Sequence, residues 1–410
     1  MRSTHYGKSV LAIVAWAAAL AGGGPPVAAD DRAATLVVEG GMADLGETPL
    51  VVDLASGQLA PGRYLLQPDA PGAAPLAALA FRDGEAQRLG VILPGVPARS
   101  TARYAIRPDP SPAEPGQGVA LVAEGARVAV QLDGKLWTRY VPDDGPKPYL
   151  DPLNGPAGQP LTRAWPMRTE GDEPHDHPHH RSLWFAHLDV NKANTWDQNP
   201  GHGSIRETSR PTVVGGGPIG VLRTTDDWLD RTGRKVCADE RVVQFYATRE
   251  ARVFDFEVTL KADAGPVVIG DNKDGVFGIR VAAPMAVTAH RGGRIVNSRG
   301  QQDAKAWGQP AEWVDYSGPV GGETQGIAIL NQPTSFRYPT TWHVRDYGLF
   351  AANPFGWHDF GQGRSGEHRI EAGGSIRLAY RVVLHRGDVA AADPARQFRA
   401  LTDPPRVKVE

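Results

Sequence analysis

The densest chemistry in the chain is the run Glu173-Pro-His-Asp-His-Pro-His-His-Arg-Ser-Leu-Trp-Phe-Ala-His187, which holds five of the twelve histidines. His175, His177 and His179 stand two apart, and Pro174 and Pro178 favour extended backbone, so all three are expected on one side. From His179 onward the alternation reads as a strand, with His179, Arg181, Leu183, Phe185 and His187 on one face and His180, Ser182 and Trp184 on the other. Three roles compete for the cluster. His175, His177 and His179 could ligate a divalent metal (Zn, Mn or Ca). His177, His179 and His180 could act without metal as general acid and base, with Arg181 and His187 touching substrate. Or backbone groups could satisfy all of them in a polar loop.

Two further segments carry chemistry. Asp271, Lys273 and Asp274 lie between an apolar stretch ending at Ile269 and another starting at Val276, which places them at a strand end, where sites are commonly built. A buried Lys273 would lose basicity and could take a proton, whereas its acidic neighbours oppose that change. An ordinary solvated turn is the alternative. In Tyr338–Gly356, His343 and Arg345 share a strand face with Thr341, and Arg345 suits two-point recognition of a carboxylate. Asp346 and Asn353 accompany them as substrate-contact candidates. Trp196, Trp307, Trp313 and Trp357 sit among Gly, Pro and polar residues, where exposed rings stack on sugars; burial is the alternative for each.

These groups need a frame, and the composition indicates which. The 48 Gly and 35 Pro argue against a helix bundle or coiled coil and favour short strands joined by turns. Phe254, Phe256, Val258 and Leu260 alternate with polar residues, as do Ile376, Leu378, Tyr380, Val382 and Leu384, so both segments read as half-buried antiparallel strands. One helix is expected late, capped by Asp393 with Pro394 at its first position and Phe398 and Leu401 on one face. Every Trp except Trp16 and every His except His5 lies between Trp137 and His385. The expected fold is all-β: a large antiparallel β-sandwich, supersandwich-like, over 119–390, preceded by a small β-module and Pro-rich linker over 30–118 and followed by a C-terminal helix and tail over 391–410.

Arg2 and Lys8, the apolar stretch Ser9–Ala21 and the small residues Val27-Ala28-Ala29 read as a signal peptide over 1–29, so a periplasmic or secreted location is expected, without stable membrane insertion once it is removed. Lys and Arg total 44 against 46 Asp and Glu, which gives no reason to expect nucleic acid as a partner. Cys237, the one cysteine, cannot form an internal disulfide and reads as a buried spectator. There is no G-x-S-x-G elbow, P-loop or dinucleotide fingerprint, so phosphoryl transfer, nicotinamide redox chemistry and α/β-type serine hydrolysis are not expected.

The run His175–Trp184, with Asp271-Asn-Lys-Asp-Gly-Val-Phe-Gly-Ile-Arg280, Trp342-His-Val-Arg-Asp-Tyr-Gly348 and Asn353-Pro-Phe-Gly356, resembles the exported bacterial family labelled methane oxygenase PmoA, over residues 125 to 390. The resemblance implies a galactose-mutarotase-like sandwich and company with polysaccharide-utilisation genes; it brings no catalytic residues. Literal methane oxidation is not expected, because no spanning helix follows the leader. Neither is aldose epimerisation, because the mutarotase glutamate base has no obvious counterpart. The expected function is therefore an exported carbohydrate-active enzyme that cleaves a glycosidic bond as hydrolase or lyase. Its three polar segments would converge on a carbohydrate substrate. A non-catalytic carbohydrate-binding protein and a metal-dependent hydrolase of a non-sugar substrate are the alternatives.

Overall fold

A computed structural model describes residues 34–111 and 116–410. The expected signal peptide and part of the Pro-rich linker lie outside the described residues. Strand accounts for 47% of the chain and helix for 6%, which makes this an all-β protein. Its main body is a sandwich of two antiparallel sheets, one of eight strands and one of nine among the described residues.

The nine-stranded sheet is carried by the long strands Ile219–Leu229, Lys235–Tyr246, Arg252–Lys261 and Ser375–Arg386. As the alternation requires, Phe254, Phe256, Val258 and Leu260 enter the core between the sheets, where Leu378, Tyr380 and Val382 join them. Phe277 of the facing sheet stacks on Tyr380 at 4.6 Å and lies 4.9 Å from Phe256, locking one sheet to the other. Each such ring contributes about 1.5–3 kcal/mol through burial. Cys237 belongs to this core, and burial pushes its thiol up, away from reactive thiolate.

The outer face of the nine-stranded sheet is covered too. Ile219, Val221, Tyr246 and Val253 pack there against Leu79 and Phe81 of the N-terminal module and against Phe398 and Leu401. Those last two project from the helix Pro394–Thr402, whose Asp393 side chain accepts from the Arg396 amide at 3.0 Å. The module is a seven-stranded antiparallel sheet with its own core, which includes Leu36, Leu66, Leu89 and Val91. One of its strands is Arg406–Val409, which pairs with Thr35–Glu39 in the register Leu36↔Val409. The expected C-terminal tail is thus a strand of the N-terminal module.

Four adjacent strands of the eight-stranded sheet carry the three polar segments: Trp342–Val344, Leu349–Ala352, Gly275–Arg280 and Leu183–His187. Pairing runs His343↔Ala351, Ala351↔Gly278 and Gly278↔Trp184, so these four residues form one row. Phe277 and Phe185 face the core, and alternation therefore turns His343, Ala351, Gly278 and Trp184 to the opposite face. Gly278 leaves that row open: a Cβ there would lie 2.8 Å from the Trp184 ring.

Candidate functional site

The histidine run does not extend as a strand from His179. His177 and Ser182 adopt left-handed backbone, with φ of 42° and 51°, and a left-handed residue breaks an extended run. The His180 amide closes a turn on the His177 carbonyl at 3.0 Å, and the strand begins only at Leu183. The turn drives His180 inward. Its ring stacks on Trp184 at 5.1 Å and on His177 at 4.7 Å, while His179 stands edge-on to His177 and His180. His175 departs in the other direction and stacks on Trp165 at 4.2 Å. The expected ligand trio of His175, His177 and His179 therefore does not form. Among the described residues no three His, Cys, Asp or Glu side chains gather as a metal-binding group.

Two buried arginines hold this loop. Arg163 donates to the carbonyls of Pro174, Asp176 and His177 at 3.2, 3.0 and 3.1 Å and contacts the Asp176 carboxylate. Arg280 reaches both Asp176 oxygens at 3.0 and 3.1 Å and places its other nitrogen 3.1 Å from His180 Nδ1. An arginine only donates, so His180 accepts at Nδ1 and carries its proton on Nε2. Burial opposes ionisation of Asp176, but Arg280, His177 and Arg163 outweigh it and bring the carboxyl down to about 2. Burial, reinforced by Lys147 and His177, lowers His179 to about 4, against the opposing charges of Asp197 and Asp274.

The second and third segments form one unit. The buried Asn353 amide donates to the carbonyls of Asn272 and Lys273 at 2.9 and 2.8 Å and so shapes the turn that carries Lys273 and Asp274. His343 Nδ1 donates to the Lys273 carbonyl at 2.9 Å and lies 3.6 Å from Asp274 Oδ1. Lys273 Nζ sits 3.0 Å from the other Asp274 oxygen. Burial keeps His343 neutral below its ordinary range, with Asp274 opposing that shift.

Tyr347 joins the two halves. Its ring stacks on His177 at 5.3 Å and takes Arg280 on its face at 4.9 Å and Arg345 at 5.8 Å. Arg345 also lies 5.8 Å from the Trp307 ring, which stands edge-on to His343 at 6.5 Å. A continuous set of contacts thus runs from His179 through His177, Tyr347, Arg345 and Trp307 to His343. Burial raises the Tyr347 phenol, which stays protonated at neutral pH.

Other expected contact residues are placed elsewhere. Trp196 is buried, 5.1 Å from Trp184, because the loop over the row needs an apolar underside; it offers no ring to solvent. His187 is buried, its Nε2 on the Gly270 carbonyl at 2.8 Å and its Nδ1 against Gly275. Asp271 accepts from the backbone amides of His358 and Gly366, tying down a loop rather than facing His343. Asn353 likewise serves backbone. Arg181 lies on Tyr149 and 3.4 Å from Asp144. Asp346 offers its main-chain carbonyl to Thr288 and Tyr316. Trp357 is held between Arg337 and Arg364, at 4.1 and 3.8 Å.

Lys147 escaped the sequence reading. It is wholly buried, with Nζ 5.8 Å from the Trp184 ring and 5.9 Å from that of Trp196, and it donates to the carbonyls of Thr195 and Trp196. Nothing in the flanking Pro146 and Pro148 announces burial. Arg280 did leave a trace: it ends the run Gly275–Arg280, and a charge in a strand buried throughout needs a partner.

A model described as a family of unknown function (DUF6807) matches residues 127–399, which takes in all three polar segments. No curated protein matches the chain.

Proposed function

We propose that this chain, which belongs to the family of unknown function DUF6807, is an exported carbohydrate-active enzyme that cleaves a glycosidic bond, as hydrolase or lyase. One observation carries the reading. His343 commits Nδ1 to the Lys273 carbonyl, and Nε2 makes no hydrogen bond among the described residues. A neutral imidazole oriented in this way is a proton acceptor at neutral pH. Lys273, paired with Asp274 at 3.0 Å, stands beside it, and Tyr347, whose phenol stays protonated, lies further along the same set of contacts. The half-buried Trp307 ring beside His343 is suited to stacking on a sugar, whereas the Tyr347 ring is already taken by His177 and Arg280. His175 turns away from His177 and His179 and stacks on Trp165, so the histidine run does not fit the metal it was expected to hold, and proton transfer falls to the side chains alone.

The test is a panel of aryl glycosides and polysaccharides incubated with the wild type and with His343→Gln, scored by release of new reducing ends. The wild type is expected to cleave at least one member. Loss of the base is expected to lower the rate by about 10²–10⁴-fold. Sugar binding without cleavage would overturn the enzyme reading in favour of a binding protein, and full activity in His343→Gln would overturn the assignment of the base.

A further inference from the structure

The arginines around this site differ in one respect. Arg163 and Arg280 share Asp176, and Arg181 lies against Asp144. Arg337 is saturated by the carbonyls of Pro354, Gly366 and Glu367. Arg345 has neither: among the described residues its guanidinium meets no carboxylate within ion-pair distance and donates no side-chain hydrogen bond. It is nevertheless flanked by aromatic rings, with those of Trp307 and Tyr347 each 5.8 Å away. Its backbone is fixed as well, with the amide on the Leu349 carbonyl at 2.7 Å and the carbonyl accepting from Tyr316 Oη at 3.2 Å. A planar fork of donors, restrained by aromatic faces and lacking an internal anion, is built to receive an external one.

We propose that Arg345 receives the carboxylate of an acidic sugar, so that the substrate class is a uronic-acid-containing glycan rather than a neutral one. The inference rests on the carbohydrate reading above and deepens it. Arg345 follows the strand Trp342–Val344 directly, two residues after His343, and the Trp307 ring neighbours both, so a sugar whose carboxylate meets Arg345 lies beside the free Nε2 of His343. Asp274, the carboxylate beside His343, is already engaged by Lys273 at 3.0 Å. The two coplanar oxygens of a carboxylate match the two parallel N–H groups of the fork, and a sulfated ligand tests whether a tetrahedral anion is taken instead.

The experiment is calorimetric binding of short oligogalacturonates and oligoglucuronates, set against neutral oligosaccharides of equal length and a sulfated one. It uses the intact protein carrying His343→Gln, so that nothing is turned over. An acidic oligosaccharide is expected to bind, and added salt is expected to weaken it. Arg345→Gln in that background should weaken it by about ten- to a hundredfold. Arg345→Lys keeps the charge without the fork and should fall between. An unchanged thermal midpoint in Arg345→Gln separates loss of the receptor from loss of fold. Neutral oligosaccharides binding as well as acidic ones, or indifference to Arg345→Gln, would overturn the acidic-sugar assignment and leave the carbohydrate reading standing. Preference for the sulfated ligand would overturn the carboxylate. Failure of every sugar to bind would remove the carbohydrate reading itself.

Discussion

His343 Nδ1 donates to the main-chain carbonyl of Lys273 at 2.9 Å, and this one bond decides which ring nitrogen is left for chemistry. It fixes the neutral tautomer with the lone pair on Nε2. It also welds the third polar segment to the second, since Asn353 holds the same carbonyl at 2.8 Å.

The pH dependence of turnover follows. A base must be unprotonated, and burial lowers the pKa of His343 from its ordinary 6.5. The fraction of competent enzyme therefore stays high at neutral pH and falls only as the pH drops below 6.5 through that lowered value. The kcat/KM profile should show its acid limb on that side, and His343→Gln should abolish the limb together with the activity. An acid limb at or above pH 7 would assign the base elsewhere.

Asp176 is the second point of leverage. Its carboxylate serves Arg163 and Arg280, whose side chains are 1% and 3% exposed. Asp176→Asn leaves both guanidiniums buried without their counter-charge and, because Asp176 is itself 39% exposed and partly screened by solvent, should cost about 1–2 kcal/mol in urea unfolding. The pH dependence has a definite sign. The folded carboxyl titrates near 2, below its ordinary 3.8, so its contribution is complete above about pH 4 and lost as the pH falls through 2. Asp176→Asn should therefore flatten the acid side of the stability profile; a variant as stable and as acid-sensitive as the wild type would mean that Asp176 does not stabilise the two arginines.

The fold was legible because burial writes itself as alternation. Phe254, Phe256, Val258 and Leu260 follow the period of two into the core, and Asp393-Pro394 marks the helix start by its capping chemistry alone. The site was legible only as segments. That His343 and Trp184 share a row depends on pairing Ala351 with Gly278 and Gly278 with Trp184, far apart in the chain, and no local pattern encodes it. Where long-range packing sets a residue's surroundings, local reading misassigned it. Trp196 sits among polar neighbours in sequence and under Trp184 in space, and the extended geometry expected of His175, His177 and His179 gives way at the left-handed His177.

That left-handed turn bears on metal content. With His175 stacked on Trp165 and His180 Nδ1 occupied by Arg280, the run offers no convergent set of imidazole lone pairs. Elemental analysis of protein purified without a polyhistidine tag should find well under one equivalent of Zn, Mn, Fe, Ni or Cu, and chelator should leave activity intact. A full equivalent lost on His177→Ala would mean that the loop rearranges around an ion.

Lys147 supplies the remaining prediction. Its Nζ is buried beside Trp184 and Trp196 and hydrogen-bonds to carbonyls, with no carboxylate at ion-pair distance among the described residues. Burial, with Arg181 adding to it, lowers the amine well below its ordinary 10.5. The unfolded chain then binds the proton more tightly than the folded one, and stability gains with rising pH between the lowered value and 10.5. Lys147→Met, of similar length and without the charge, should be at least as stable as the wild type at pH 7. Other groups titrate in the same range, so the informative quantity is the wild-type stability minus that of Lys147→Met, measured in urea from pH 7 to 10. That difference should climb with pH. A flat difference would mean that the buried amine keeps its ordinary basicity, with water or a carboxylate reaching it.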